Sequence, residues 1–513
     1  MLARVFSACL TGIDATLVRV EVDVSHGLPT FSTVGLPDPS VRESRDRVRA
    51  AIRNSGFAFP LERVTVNLAP ADLRKEGVSF DVPIALGLLA ATGAIRTEPL
   101  AGLLVAGELA LDGGIHGVRG VLPMALAAAQ GGLPAALLPR ANAAEAAVVD
   151  GLAVYPVASL AEAAQHLGGD RPLARVTADV TRLLQIGHDD VDLGDVRGQA
   201  HAKRGLEIAA AGGHHLVLVG PPGTGKTMLA RRLATILPPL TLPEAIEVSQ
   251  VWSVAGLVPR EGLVGRRPFR APHHTVSEAG LTGGGSRPHP GEVSLAHLGV
   301  LFLDELPEFA PHVLDTLRQP LEDGTIVVAR VGGSVRFPAE VQLVGAMNPC
   351  RRACRSVETC ECTPPERQRY LGRLSRPLLD RIDLHVEVPP VPYRDLARNG
   401  PTDASVEGSG AVSGRVATAR ERQRARLGRG RARVNARMST GQLARHASPS
   451  AAGRRLLGEA VERLGLSARA HDRVLKVART IADLAGAGDI SDEHVAEALQ
   501  CRVLDRAAGR PQV

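Results

Sequence analysis

Apolar and polar residues alternate with period two along Leu17-Val18-Arg19-Val20-Glu21-Val22-Asp23-Val24, and again along Arg63-Val64-Thr65-Val66-Asn67-Leu68. Such alternation predicts half-buried strands. Between them, Pro39 to Ser55 sets Val41, Val48 and Ile52 among charged residues, the pattern of a helix with one buried face. Val82 to Ala91 and Leu122 to Ala129 are apolar throughout and predict buried helices. Residues 1–170 therefore read as an α/β unit, and the polar, Asp-rich stretch 171–194 as a connector.

From residue 195 the pattern changes to short continuous apolar runs, Leu216 to Val219, Val300 to Leu303, Val341 to Ala346 and Leu384 to Val388, spaced by helical segments. Strands without alternation are buried on both faces, so residues 195–395 predict a parallel sheet covered by helices. The stretch 396–414 is rich in Gly, Ser, Pro and Thr from Asn399 onward and predicts a flexible joint. Residues 415–513 read as helical, with Ser491-Asp492-Glu493-His494 a helix start ahead of Val495 to Leu499.

Composition narrows the functional classes. Of 513 residues, 44% are hydrophobic and 22% charged, a globular balance, and only 3% are aromatic, which argues against a base-stacking platform. The net charge of +6 permits an anionic partner without requiring one. Nine arginines (415, 420, 422, 424, 426, 429, 431, 433, 437) face the single acid Glu421, a block that reads either as a solvated helix face or as a phosphate-binding surface. No apolar run reaches 18 uninterrupted residues, and Met1 to Leu10 leads into a strand pattern without a cleavage site. A cytoplasmic protein without a membrane partner is the expectation.

The densest chemical signal is Gly220-Pro221-Pro222-Gly223-Thr224-Gly225-Lys226-Thr227, which sits between an apolar strand and the helical Met228 to Leu233. In this G-x-x-x-x-G-K-[ST] pattern backbone N–H groups converge on a β-phosphate, the lysine reaches the β/γ oxygens and the hydroxyl holds Mg²⁺. Downstream, the strand Val300 to Leu303 ends in Asp304-Glu305. Asp304 is placed to orient the Mg²⁺ shell and Glu305 to polarise the attacking water. The strand that ends in Asn348 predicts a polar amide between loop and acids, either holding that water or reading the γ-phosphate, or a plain turn former.

These motifs, with Arg267-Pro268-Phe269-Arg270-Ala271-Pro272-His273-His274-Thr275, Gly283-Gly284-Gly285 and Pro290-Gly291-Glu292-Val293-Ser294-Leu295-Ala296-His297, resemble the magnesium-chelatase-type AAA+ ATPases, within them the YifB/ComM family. The resemblance covers nearly the whole chain. It implies an S5/Lon-protease-like α/β domain (ChlI-type), an AAA+ core with a magnesium-chelatase-type insert and a C-terminal helical lid. It makes Lys226 and Thr227 Walker A, Asp304 and Glu305 Walker B and Asn348 the first sensor. Leu378-Leu379-Asp380-Arg381-Ile382-Asp383 resembles an arginine-finger motif, so that Arg381 reaches a neighbouring subunit's nucleotide; the alternative is an intrachain pair with Asp380 or Asp383. Arg469, with Arg473 as competitor, matches the second sensor, and Asp195 to Gln199 falls where adenine is bound through the backbone.

The insert from Ser249 to Ser294, and a hairpin over Thr325 to Ala329 and Ser334 to Phe337 flanked by Arg330 and Arg336, would face a central pore in the family. ATP with Mg²⁺, a homo-oligomer, expected to be a hexamer, and DNA are the implied cofactors and partners. A ComM-like branch-migration helicase in natural transformation is the leading function, and a chelatase-like remodeller of a protein partner the alternative.

Two further groups bear on chemistry. Ser79 falls where a Lon protease carries its nucleophile, yet the position of its lysine partner is Leu122 and no lysine occurs between Lys75 and Lys203. A fold relative without protease chemistry is expected. Cys350, Cys354, Cys360 and Cys362 cluster within thirteen residues, which suits zinc in a reducing compartment. Arg352 stands where the family pattern has a cysteine, which leaves zinc and free thiols both open.

Overall fold

The computed structural model describes residues 1–185, 191–285, 288–330, 333–354, 360–392, 407–428 and 434–504. The first unit is built on a mixed seven-stranded sheet in the order Thr30–Val34, Arg63–Ala69, Asp14–Ser25, Leu2–Thr11, Leu103–Val105, Ala135–Pro139, Ala153–Val157. The alternation read in the sequence is the pleat itself: Val18, Val20 and Val22 are fully buried, while Arg19 pairs with Glu21 at the surface. Helix Pro39–Asn54 starts at Asp38, whose side chain accepts from the Val41 N–H, and it buries Val41, Val48 and Ile52 as expected.

The second unit is a five-stranded parallel sheet in the order Phe269–Arg270, Val300–Leu303, Gln342–Met347, Leu216–Val219, Leu384–Glu387. Its central strands are buried on both faces, which is why they read as unbroken apolar runs. The strand ending at Met347 lies between the strands ending at Val219 and Leu303. One end of the sheet therefore gathers the loop, Asn348 and the acid pair.

Three expectations change. Part of the joint is ordered: Ser409–Leu427 is a helix, because the Ser409 N–H is held by Asp192 and Val412, Val416 and Ala419 form a buried stripe. The Gly/Ser composition hid that spacing; residues 396–406 of the joint lie outside the described residues. The connector carries a short helix, Val180–Gln185, and Leu193 is buried; its residues 186–190 lie outside the described residues. The insert does not begin at an opening. Helix Leu242–Ala255 packs into a core shared with the first unit, Ser249 is fully buried, and its Oγ accepts from the Val264 N–H.

That contact is polar as well as apolar. The Ser253 hydroxyl donates to Glu145 at 2.6 Å, Asn142 donates to the other oxygen at 2.6 Å, and Leu122 N–H donates to Ser253. Burial pushes the Glu145 carboxyl up, against the pull of these hydrogen bonds. No described helix is long and apolar enough to cross a membrane.

Candidate active site

The phosphate loop leaves the strand Leu216–Val219 and enters the helix Lys226–Ile236. Gly223 and Gly225 take φ of 76° and 86°, backbone that a side chain resists. At Gly220 a Cβ would lie 2.2 Å from the Val388 carbonyl oxygen, so only glycine passes there. Lys226 Nζ donates to the carbonyls of Gly220 and Pro221 at 2.7 and 2.9 Å, and to Asn348 Oδ1 at 3.3 Å. Burial pushes its pKa down, against the pull of Asp304 and Glu305. An incoming phosphate would replace those weak carbonyl contacts with a charge-assisted one.

Thr227 Oγ1 donates to Asp304 Oδ2 at 2.7 Å. Hydroxyl and carboxylate meet where a Walker-type site holds its cation, and this oxygen pair fits Mg²⁺. The other Asp304 oxygen accepts from the Glu305 N–H at 2.9 Å, so Asp304 is fixed from both sides. Glu305 adopts φ of 51° and leaves its side chain 62% exposed, free to meet a water. His274, from the string after Phe269–Arg270, lies 3.9 Å from it. Nothing in the sequence motif around His274 points to this contact, since only strand adjacency brings it there.

The segment Asp195 to Gln199, expected on the adenine side, lies beside the loop. Gln199 takes φ of 56° and its amide donates to the Pro389 carbonyl at 2.6 Å, while Arg232 pairs with Asp195 at 2.9 Å. The structure thus brings together Gly220, Pro221, Pro222, Gly223, Thr224, Gly225, Lys226, Thr227, Asp304, Glu305 and Asn348.

The arginines stand elsewhere. Arg381 is 11% exposed and ion-paired with Glu322 at 2.5 Å, and it donates to the Arg318 and Pro377 carbonyls. The intrachain alternative named Asp380 or Asp383, but the partner is Glu322, a residue distant in sequence. Asp383 is instead buried between His214, at 2.9 Å, and Arg473. Burial alone would push the Asp383 carboxyl up; Arg473 and His214 outweigh it and hold it well below the ordinary carboxylate range.

Asp383 precedes the strand Leu384–Glu387, which runs in register with Leu216–Val219. Four residues at ~3.3 Å each put about 13 Å between that end and the phosphate loop. Arg473 is therefore held at the end of the sheet away from the loop, and Arg469 is exposed on the same helix.

The arginine block is largely structural. Arg415 pairs with Glu207 and Glu407, Arg420 and Arg422 donate to the Ala210 and Asp483 carbonyls, Arg426 pairs with Asp483, and Arg437 with Glu340. Arg429, Arg431 and Arg433 lie outside the described residues. The hairpin forms over Thr325–Arg330 and Gly333–Pro338 with Arg336 exposed; the side chain of Arg330 and residues 331 and 332 lie outside those described. At Gly12, in a turn of the first unit, a Cβ would lie 2.6 Å from Val335 Cγ1, so that turn abuts the hairpin.

At the position compared with a Lon protease's lysine, Leu122 is fully buried, and Lys75 donates to the Pro70 carbonyl. The four cysteine sulfurs lie within 4.8 Å of one another, close enough to share one tetrahedral ion. Arg352 turns away to Glu366 at 2.8 Å and does not block them.

Comparison with known proteins places the whole chain. Profiles described as "Magnesium chelatase, subunit ChlI", "Subunit ChlI of Mg-chelatase" and "Magnesium chelatase, subunit ChlI C-terminal" match residues 192–396, 20–142 and 406–502. The competence protein ComM of Haemophilus influenzae is 45% identical over 507 residues, 98% of each chain. YifB of Escherichia coli is 43% identical over 507 residues, again 98% of each chain. The magnesium-chelatase 38 kDa subunit of Cereibacter sphaeroides is 30% identical over 208 residues, 37% of this chain and 56% of its own.

Proposed function

This chain belongs to the YifB/ComM family of magnesium-chelatase-like AAA+ ATPases, and from that premise we propose that it is an ATP-driven ring motor that moves DNA branches, supporting recombination of imported DNA in natural transformation. The observation that carries this reading is the extent of similarity. The competence protein matches across all units, whereas the chelatase subunit matches over 37% of the chain.

The chain's residues divide the hydrolytic work. The loop amides and Lys226 hold and orient the β- and γ-phosphates, and Thr227 with Asp304 would hold Mg²⁺, which neutralises phosphate charge when bound. Glu305 takes the proton of the attacking water, and Asn348, already tied to Lys226, keeps that water in line. Arg381 is the trans group: released from Glu322, it would stabilise charge on a neighbouring subunit's γ-phosphate. The lid arginines, Arg469 foremost, serve a neighbour for the same geometric reason. A closed ring, six subunits in this reading, repeats that interface.

DNA contact in this reading falls to the hairpin with Arg336, since much of the arginine block is engaged internally. Zinc on Cys350, Cys354, Cys360 and Cys362 would brace the turn after Asn348; metal analysis with and without Cys360→Ser tests it. The deciding assay measures ATP turnover with single-stranded, duplex, forked and four-way DNA, with Lys226→Ala as the blank. Stimulation by branched DNA, weakening steeply with salt, supports the motor. Stimulation by a protein partner alone sinks it in favour of a chelatase-like remodeller in the same cytoplasmic setting.

A further inference from the structure

At the end of the core sheet opposite the phosphate loop, a cavity of about 1000 Å³ opens between the strand starts, the insert and the C-terminal helices. Arg267, Arg420, Arg424 and Arg437 line it together with Glu244, Glu247 and Glu340. Each carboxylate has a local partner: Glu244 is 3.5 Å from Arg267, Glu340 is 3.2 Å from Arg437, and Glu247 is 3.1 Å from His297.

Two cations are left over. Arg420 directs Nε and one terminal nitrogen at a single acceptor, the Ala210 carbonyl, at 3.0 and 2.7 Å. The Arg424 side chain has no hydrogen bond or ion pair among the described residues. Burial, and after it repulsion from Arg267 and Arg424, pushes Arg420 down to about 9 against the pull of Glu244, so it stays charged at neutral pH but crowded by like charges. Arg267 is pushed down as well, by burial first, with Arg424 adding to it against Glu244.

Like charges crowded in this way, two of them with no carboxylate in ion-pair distance among the described residues, are stable only with an anion or at a cost. A guanidinium fork matches the oxygens of phosphate two at a time, and the cavity has small-molecule dimensions. We propose that this cavity binds a small phosphate-type oxyanion, of about pyrophosphate size, between Arg420 and Arg424 with Arg267 behind them. The three glutamates on its wall bound the negative charge that can enter, which favours a free oxyanion over a continuous nucleic-acid backbone. Both leftover arginines sit on helix Ser409–Leu427, whereas Gly213, Gly299 and Gln342 line the opposite wall from the starts of core strands. A bound anion therefore ties the C-terminal helices to the ATPase sheet, independently of whether the ring acts on DNA.

The test is calorimetric titration of pyrophosphate into the full-length Lys226→Ala protein, in which the phosphate loop is disabled. We expect saturable binding that Arg424→Gln weakens about tenfold, the loss of one charged contact. Arg420→Gln is expected to weaken it further, with melting curves to check folding; Arg424 is exposed, so its variant keeps the test valid if Arg420→Gln misfolds. Absence of saturable binding, or binding that Arg424→Gln leaves unchanged, overturns the proposal. A short single strand of DNA is the second arm, and its displacing pyrophosphate stoichiometrically overturns the assignment to a free oxyanion.

Discussion

If Arg381 acts on a neighbour's nucleotide, two dead variants should revive each other. Lys226→Ala removes the phosphate-loop cation and leaves Arg381 intact, whereas Arg381→Ala does the reverse. An arginine finger is worth roughly 10³–10⁵ in rate, so each homogeneous variant should fall to about a thousandth of wild type or less. In a ring co-assembled from equal amounts, an interface works only where an intact loop meets an intact finger. That requires an Arg381→Ala subunit beside a Lys226→Ala subunit in the correct order, which random assembly provides at about one quarter of interfaces.

Turnover of the co-expressed mixture should therefore approach about one quarter of wild type, several hundredfold above either parent. The structure sets the opposing cost. Arg381 must leave Glu322 and the carbonyls of Arg318 and Pro377, about 3–6 kcal/mol if each charged hydrogen bond is worth ~1.5–3 and the half-exposed ion pair little. Contact with the transition-state phosphoryl group has to exceed that. A coupled assay on purified co-assembled rings, with mass photometry confirming mixed assembly, reads the result. Activity of the mixture no higher than its parents would refute trans action, and with it the placement of the active site between subunits.

Glu305→Gln should reduce turnover by about 10²–10⁴ while nucleotide affinity stays near wild type, because Asp304 is already held by Thr227 and cannot substitute as base; unchanged turnover in single-turnover kinetics would sink the assignment. Asp383→Asn should destabilise the core by about 3–5 kcal/mol by leaving Arg473 and His214 without their carboxylate, read by urea denaturation. The pH dependence follows in sign: the folded carboxyl titrates below its unfolded value near 4, so its contribution is full above about pH 4 and is lost as pH falls, and Asp383→Asn should flatten that acid limb. Ser253→Ala should cost about 2 kcal/mol by stranding buried Glu145, and differential scanning calorimetry should show the first unit loosening from the ATPase core.

Contiguous chemistry was legible in the sequence. The phosphate loop, the acid pair and the order of strands that sets Asn348 between them could all be read from apolar runs ending in specific residues. What could not be read are contacts set by strand adjacency or by distant ion pairs. His274 reaches Glu305 only because Phe269–Arg270 lies beside Val300–Leu303, and Arg381 meets Glu322 across a gap of many residues. Charge counting left the block's partners unread for a related reason. A block of nine arginines carries no information about where its counter-charges lie, and Glu207, Glu407, Asp483 and Glu340 come from other segments. Composition likewise hid the helix start at Ser409, which needs the remote carboxylate of Asp192.

The position of the C-terminal helices gives the site its logic. His214, Asp383 and Thr480 form a buried chain joining the start of the core sheet to helix Ala468–Ala485, and Gln423 donates to the Ala211 carbonyl beside it. These contacts tie the C-terminal helices to the end of the strands away from the phosphate loop, where Asp383 holds Arg473. A P-loop with a cation, an acid pair and an amide can bind and orient ATP, and in the proposed reading the charge developing on the γ-phosphate is met by an arginine from a neighbouring subunit. The proposed trans site predicts slow turnover by the isolated chain and fast turnover by an assembled ring. In the proposed ring hydrolysis would be conditional on a neighbour's position, the coupling that the proposed motor requires.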